Sequence, residues 1–207
     1  ILYLLKNNSF NFKSHYPDRL VNSIYLDSPK LENYSDNQIG IANRKKYRIR
    51  WYGYDKSNIE NPKLEKKIKI GWVGKKEIYD ISSFKANPGG NFNNYFFNGL
   101  SNLPANIFFE LKNLTPVLMN SYMRIYLISF CKRFRATIDT QQNFYSIKKS
   151  SNSVFKKVPH RDESIILEIK YDVDYDLIAS QVTNSFPYSI SKNSKYVNGI
   201  NYIRKYL

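Results

Sequence analysis

Basic residues recur on every second position in four separate stretches of this chain: Arg48-Ile49-Arg50, Glu65-Lys66-Lys67-Ile68-Lys69, Arg133-Phe134-Arg135 and Glu168-Ile169-Lys170. Side chains at i and i+2 of a β-strand point to one face, so a curved or closed sheet built from these segments lines its inside with charge. A hydrophobic core cannot form there. Like charges ~4 Å apart repel by about 4 kcal/mol at an effective dielectric near 20, so a strongly anionic partner has to offset them. One such strand alone also describes an ordinary half-exposed sheet, with Tyr47, Ile49 and Trp51 turned in and Arg48 and Arg50 turned out. Four strands point to a shared role.

The rest of the composition fits one folded domain with an acidic partner. Its 207 residues are 42% hydrophobic and 16% aromatic, and 32 Lys+Arg stand against 17 Asp+Glu for a formal charge of +15. The abundance of Asn, Lys, Ile and Tyr suggests an AT-rich coding bias, which accounts for part of the lysine excess. It does not account for Arg44, Arg48, Arg50, Arg124, Arg133 and Arg135, which fall in or beside strand-like runs. The single cysteine, Cys131, excludes an intrachain disulfide and reads as a small buried apolar residue. No apolar run approaches the roughly 20 residues that span a bilayer. The chain opens on Ile1 rather than Met, which reads as a truncation with the first strand of the domain missing.

Alternating patterns predict strands over 21–27, 44–54, 63–70, 75–82, 117–129, 133–139, 142–148 and 164–171, about seven of them in a single antiparallel sheet. Helices are expected at 1–8, 30–37, after the loop Asn87-Pro88-Gly89-Gly90-Asn91-Phe92-Asn93-Asn94, at 175–183 behind an Asp174 cap, and at 196–206. The fold class is α+β, mainly β, with the helices flanking the sheet. A polar linker is expected over 150–153. Gly89-Gly90 is a turn rather than a phosphate loop, since no Gly-Lys-Ser/Thr follows. His15 and His160 sit in polar loops without partners at ligand spacing and read as surface residues.

The acidic residues sharpen the charge pattern. Glu65 shares its face with Lys67 and Lys69, and Glu168 shares its face with Lys170. A salt-bridged surface ladder would look the same. The functional reading is a hard divalent cation, Mg²⁺ or Mn²⁺, held by one or two carboxylates and by phosphate oxygens.

Arg48-Ile49-Arg50-Trp51-Tyr52-Gly53, Leu64-Glu65-Lys66-Lys67, Ser121-Tyr122-Met123-Arg124, Arg135-Ala136-Thr137-Ile138-Asp139, Leu167-Glu168-Ile169-Lys170-Tyr171 and Ser194-Lys195-Tyr196-Val197 follow one another along the chain. In this order they resemble the VTC domain, the polyphosphate polymerase domain of the vacuolar transporter chaperone complex and its bacterial relatives, within the triphosphate tunnel metalloenzyme group. The resemblance runs from about Val21 to Gly199. It implies an eight-stranded antiparallel tunnel barrel whose inward basic residues cradle a chain of phosphates. By position, Arg48, Arg50, Lys67, Arg124, Arg135 and Lys195 match the family's phosphate-binding residues, and Glu168 matches its metal-binding glutamate. Lys69, Arg133, Lys170 and Lys192 are further candidates for substrate contact, and Glu65 for assisting the metal. One of Lys75 and Lys76 should add a contact, with Lys76 taken as the candidate, although alternation alone leaves the choice open.

The implied reaction is transfer of the γ-phosphate of ATP to a growing inorganic polyphosphate chain, with Mn²⁺ or Mg²⁺. The implied setting is cytoplasmic, at the face of a membrane complex where partners dock it there. Oligomeric state is left open. A tunnel-type triphosphatase, transferring the phosphate to water, would carry nearly the same residues. A basic single-stranded nucleic-acid-binding module is the rival of another class, since 18 Tyr and 13 Phe could stack bases. Its aromatics should share a face with the basic residues. Tyr47, Trp51 and Phe134 do not, while Tyr122 and Tyr126 accompany Arg124, so no nucleic-acid partner is expected.

Overall fold

The computed structural model describes residues 1–71, 73–86, 92–147, 154–159, 163–184 and 186–206, with the backbone alone at 92–95. Residues 87–91 of the loop expected over 87–94, the linker over 150–153 and His160 lie outside them, and the last three residues of that loop are helical instead. Among the described residues the main sheet has eight strands: β1 (Lys13–Asp27), β2 (Arg44–Tyr52), β4 (Lys63–Ile70), β5 (Val73–Asp80), β7 (Thr115–Ile128), β8 (Arg135–Ile147), β9 (Phe155–Lys157) and β10 (Ile166–Lys170). Their hydrogen-bonded order is β10-β8-β7-β1-β2-β4-β5, with β9 also on β8. The pairs β1/β2, β2/β4, β4/β5, β8/β9 and β8/β10 are all antiparallel. A separate two-stranded ribbon joins β3 (Asn58–Ile59) to β6 (Phe84–Lys85). The class is α+β, mainly β, as expected. The chain forms two compact units, one of residues 1–20, 122–142 and 162–193, the other of 21–121, 143–161 and 194–207.

In the larger unit the alternation of β2 sorts its side chains as the sequence implied. Tyr47, Ile49 and Trp51 join Ile24, Leu26 and Leu64 in a buried cluster. Covering it are Phe96 and Leu100 near α3 (Phe92–Gly99), and Ile107 and Leu111 of α4 (Ala105–Leu111). A second cluster sits where Tyr25, Leu118 and Phe144 receive Tyr196, Ile200 and Ile203 of α6 (Lys195–Lys205). Tyr25 lies directly opposite Arg48, and directly opposed residues share a face, so α6 packs on the side of the sheet that bears the arginines. Gly199 makes this approach feasible: a Cβ there would stand 2.5 Å from Leu118 Cδ2 and 2.7 Å from Phe144 Cδ1.

Fully buried Asp27 fixes the neighbouring helix, α2 (Glu32–Ile39). Its carboxylate accepts the backbone N–H groups of Ser28 (2.7 Å), Asn33 (3.0 Å) and Tyr34 (3.0 Å), and also the hydroxyl of Tyr196. One side chain thereby caps α2 and ties it to α6.

The smaller unit packs Leu5 of α1 (Leu2–Lys6), Phe12, Leu127, Phe134, Ala136 and Ile138 against Ala179 and Val182 of α5 (Asp176–Thr183). Several local expectations are corrected here. The strands expected at 133–139 and 142–148 are one continuous strand, β8, which passes through a left-handed residue, Gln141 (φ 52°). β1 begins at Lys13 rather than at Val21; its first half is polar and exposed, which hides it from an apolar pattern. Asp174 lies in a short 3₁₀ turn (Val173–Tyr175) and caps nothing; α5 starts behind Tyr175 without a side-chain cap. Cys131 is exposed in the turn between β7 and β8 rather than buried.

Candidate phosphate-binding faces

Register places the basic residues of the larger unit on one face. Arg44, Lys46, Arg48 and Arg50 of β2 stand opposite Lys69, Lys67, Glu65 and Lys63 of β4, and Lys67 stands opposite Lys76 of β5. The other face holds the larger apolar cluster, that of Tyr47, Ile49 and Trp51. Buried Lys66 points that way and is neutralised by Glu110 of α4 at 2.7 Å, which also accepts the hydroxyl of Tyr47. Alternation keeps Lys66 off the basic face, and this pairing, which has no signal in the sequence, neutralises it there.

At the centre of the basic face one carboxylate gathers three cations. Glu65 Oε2 accepts Arg48 Nε at 2.6 Å and Nη2 at 2.5 Å, while Oε1 meets Lys76 Nζ at 2.7 Å and Arg50 Nη1 at 3.5 Å. Burial pushes the Glu65 carboxyl up, yet Arg48, Arg50 and Lys76 together outweigh it and hold it at about 2. Lys75 turns to Glu77 at 2.9 Å and is largely exposed, so the choice between Lys75 and Lys76 resolves in favour of Lys76 on the side of Glu65.

Beside this cluster Lys46 is crowded by its own kind. Burial, then Arg44, Lys67 and Arg48, lower its ammonium to about 8. Its Nζ donates to the hydroxyl of Ser194 at 3.2 Å, and Ser194 is the N-cap of α6, accepting the Val197 N–H. Lys195, the first residue of α6, stands at the same helix end, where the dipole is positive. The sequence reading missed Lys46, although its place two residues before Arg48 was the available signal. Lys67 is exposed and Lys69 half-buried. Among the described residues, buried Ser23, opposite Arg50, has a hydroxyl with no hydrogen-bond partner.

In the smaller unit the corresponding face is built from β7, β8 and β10. Arg124 forms a bidentate pair with buried Asp139, Nε to Oδ1 at 2.5 Å and Nη2 to Oδ2 at 2.7 Å, and its guanidinium lies 5.2 Å from the Tyr122 ring centre. Burial pushes this guanidinium down, but the Asp139 hydrogen bond, Tyr122 and Glu168 drive it well above its ordinary value. Thr137 stands opposite Glu168, and Arg135 opposite Lys170. Glu168 and Lys170 are exposed and pair at 3.3 Å. Arg135 is exposed on the same face. Arg133 is not on a strand: it lies in the turn before β8 and stacks 4.7 Å from the Tyr175 ring centre, so it does not share the Arg135 face by strand alternation. Lys192 is exposed in a segment without regular structure.

A divalent metal finds limited ligands here. Among the described residues no group of three or more His, Cys, Asp or Glu could hold one. Asp139 is committed to Arg124 and Glu65 to its three cations, whereas Glu168 presents an accessible carboxylate. Mg²⁺-like ions need one or two carboxylates when phosphate oxygens supply the rest, and Glu168 fits that demand. No helix among the described residues is long and apolar enough to cross a membrane.

A model of the VTC domain family matches residues 2–204. No curated protein matches the chain. Among solved structures, the PH1819 protein from Pyrococcus horikoshii OT3 superposes with a TM-score of 0.51 at 12% identity, over 97% of this chain and 92% of that one, a likeness of fold alone.

Proposed function

Since this chain belongs to the VTC domain family, we propose that it is a polyphosphate polymerase that moves the γ-phosphate of ATP onto the end of an inorganic polyphosphate chain, releasing ADP. The observation that carries the reading is the one-sided concentration of Lys46, Arg48, Arg50, Lys63, Lys67, Lys69 and Lys76 on a face where, among the described residues, Glu65 and the Lys63 partner Asp80 are the carboxylates of β4 and β5. A face of that kind is short of negative charge, and a polyanion supplies it without covalent chemistry.

Phosphoryl transfer is accelerated chiefly by positioning and charge neutralisation. Arg48 and Arg50 offer planar forks suited to phosphate oxygens. Lys67, Lys69 and Lys76 add point charges, and Lys195 adds one at the positive end of α6. Arg124 and Arg135, with Lys170 beside them, serve the phosphates in the smaller unit, and Arg124 is held rigid for it by Asp139. Arg133 and Lys192 are peripheral contacts. Glu168 would hold Mn²⁺ or Mg²⁺, which when bound neutralises charge on phosphate oxygens. Glu65 acts as the counter-anion that spaces three cations rather than as a metal ligand. A cytoplasmic site, free or docked on a membrane complex, suits an ATP-consuming enzyme.

Incubation with ATP and Mn²⁺ tests the reading, scoring long phosphate chains on gels against free phosphate. Long chains that disappear in Arg48→Ala are the expected result. Stoichiometric free phosphate without chains would assign the tunnel-type triphosphatase activity instead, and turnover unchanged in Arg48→Ala would refute the site.

A further inference from the structure

Resting on the reading that the substrate is a nucleoside triphosphate, we propose that Tyr16, Arg19 and Tyr126 form the platform on which its base docks. β1 opens with a run of exposed residues, unusual for a strand placed inside a sheet order. Within that run Tyr16 leaves 47% of its surface exposed. Its ring meets that of Tyr126 edge-on, with centres 5.9 Å apart and planes at 88°. His15 lies against it, ring centres 3.9 Å apart. The Arg19 guanidinium stands 5.5 Å from the Tyr16 ring centre and 5.8 Å from that of Tyr126.

A lone guanidinium over a ring carries no message, because such pairs occur about once per 70–80 residues. Here one guanidinium serves two rings from two strands, and the outer ring keeps much of its surface toward solvent. The position matters as much as the composition. Ile125 and Leu127 turn to the apolar core of their unit, so alternation puts Tyr126 on the opposite face of β7, with Arg124 two residues before it. Two residues along a strand span about 7 Å. That is short enough for one nucleotide to stack its base on the tyrosines and set a phosphate near the Arg124 guanidinium. Stacking on tyrosine and arginine tolerates any base, because every base has a π face. The platform therefore supplies affinity for the nucleoside end of the donor, which an inorganic polyphosphate acceptor lacks.

That difference gives the test. Dissociation constants for ATP and for inorganic tripolyphosphate are measured by calorimetry at one salt concentration for the unaltered protein, Tyr16→Ala and Tyr16→Phe. Loss of one stacked base predicts that Tyr16→Ala weakens ATP by about five- to 150-fold, while tripolyphosphate affinity holds and Tyr16→Phe retains ATP binding. ATP affinity unchanged in Tyr16→Ala, or ATP and tripolyphosphate weakened alike, overturns the platform and leaves the phosphate-binding reading intact. An oligonucleotide that outcompetes ATP and loses affinity in Tyr16→Ala overturns it in favour of nucleic acid. Absence of tripolyphosphate binding by the unaltered protein overturns the reading beneath, and the platform with it.

Discussion

Replacing Glu65 by Gln removes the charge at the centre of the basic face, while the amide keeps the shape of the side chain and one of its two acceptor oxygens. The carboxylate is 6% exposed and touches Arg48 at 2.5 Å, Lys76 at 2.7 Å and Arg50 at 3.5 Å. Burial alone would raise its pKa; these three cations instead hold it at about 2 against an ordinary 4.5. At roughly 1.4 kcal/mol for each tenfold in acidity, the folded state gains about 3 kcal/mol from this ionised group. A carboxyl whose folded value is depressed contributes above its unfolded value and loses the contribution as pH falls through the folded one. The stabilisation is therefore complete above pH 4.5 and fades toward pH 2. Glu65→Gln should cost about 3 kcal/mol at pH 7, equivalent to a melting temperature lower by about 6–12 °C for a chain of this size. Urea unfolding followed by circular dichroism at pH 7, 4 and 2.5 would measure it. The two proteins should converge at the acid end, and tripolyphosphate at pH 7 should raise the melting temperature of the variant more than that of the unaltered protein, since it replaces the missing anion. A penalty under about 1 kcal/mol at pH 7, within the range of an ordinary exposed pair, or an equal penalty at pH 2.5, would refute the account.

Lys46, lowered to about 8 first by burial and then by Arg44, Lys67 and Arg48, loses its proton as pH rises through that value. Tripolyphosphate affinity should fall between pH 7 and 9, and less steeply in Lys46→Gln; parallel curves by calorimetry would remove Lys46 from the site. Gly199→Ala drives a methyl into Leu118 and Phe144 and should cost about 1–3 kcal/mol as an overpacked contact, read as a lower urea midpoint. An unchanged midpoint would mean that α6 can shift away from the sheet at no cost.

Much of this site was legible from spacing alone. The side-to-side sorting of Arg48 and Arg50 against Tyr47, Ile49 and Trp51 follows from the two-residue period of a strand, and β2 has it. The same rule kept Lys66 off the basic face without saying what neutralises it; Glu110, 44 residues away, is a partner that only a packed helix can supply. Where the rule was extended past a strand end it failed. Arg133 alternates with Arg135 in sequence, but the turn that closes β7 on β8 still includes it, and a turn has no faces. Cys131 was judged by the habits of its residue type, and the same turn left it exposed. The polar start of β1 concealed a strand because exposed backbone pairing leaves no apolar period to detect.

Residue order by itself determined the sign and the periodicity of the charge, a strongly cationic sheet face, because alternation is a local property of the extended chain. Tertiary structure alone decided which cations meet which anion. That Glu65 draws Arg48, Arg50 and Lys76 together, that Asp139 braces Arg124, and that Lys46 meets the end of α6 all depend on strand register and helix docking. Register is set by burial of apolar side chains on the opposite face, and the docking of α6 by the Tyr25, Leu118 and Phe144 cluster on the arginine-bearing side.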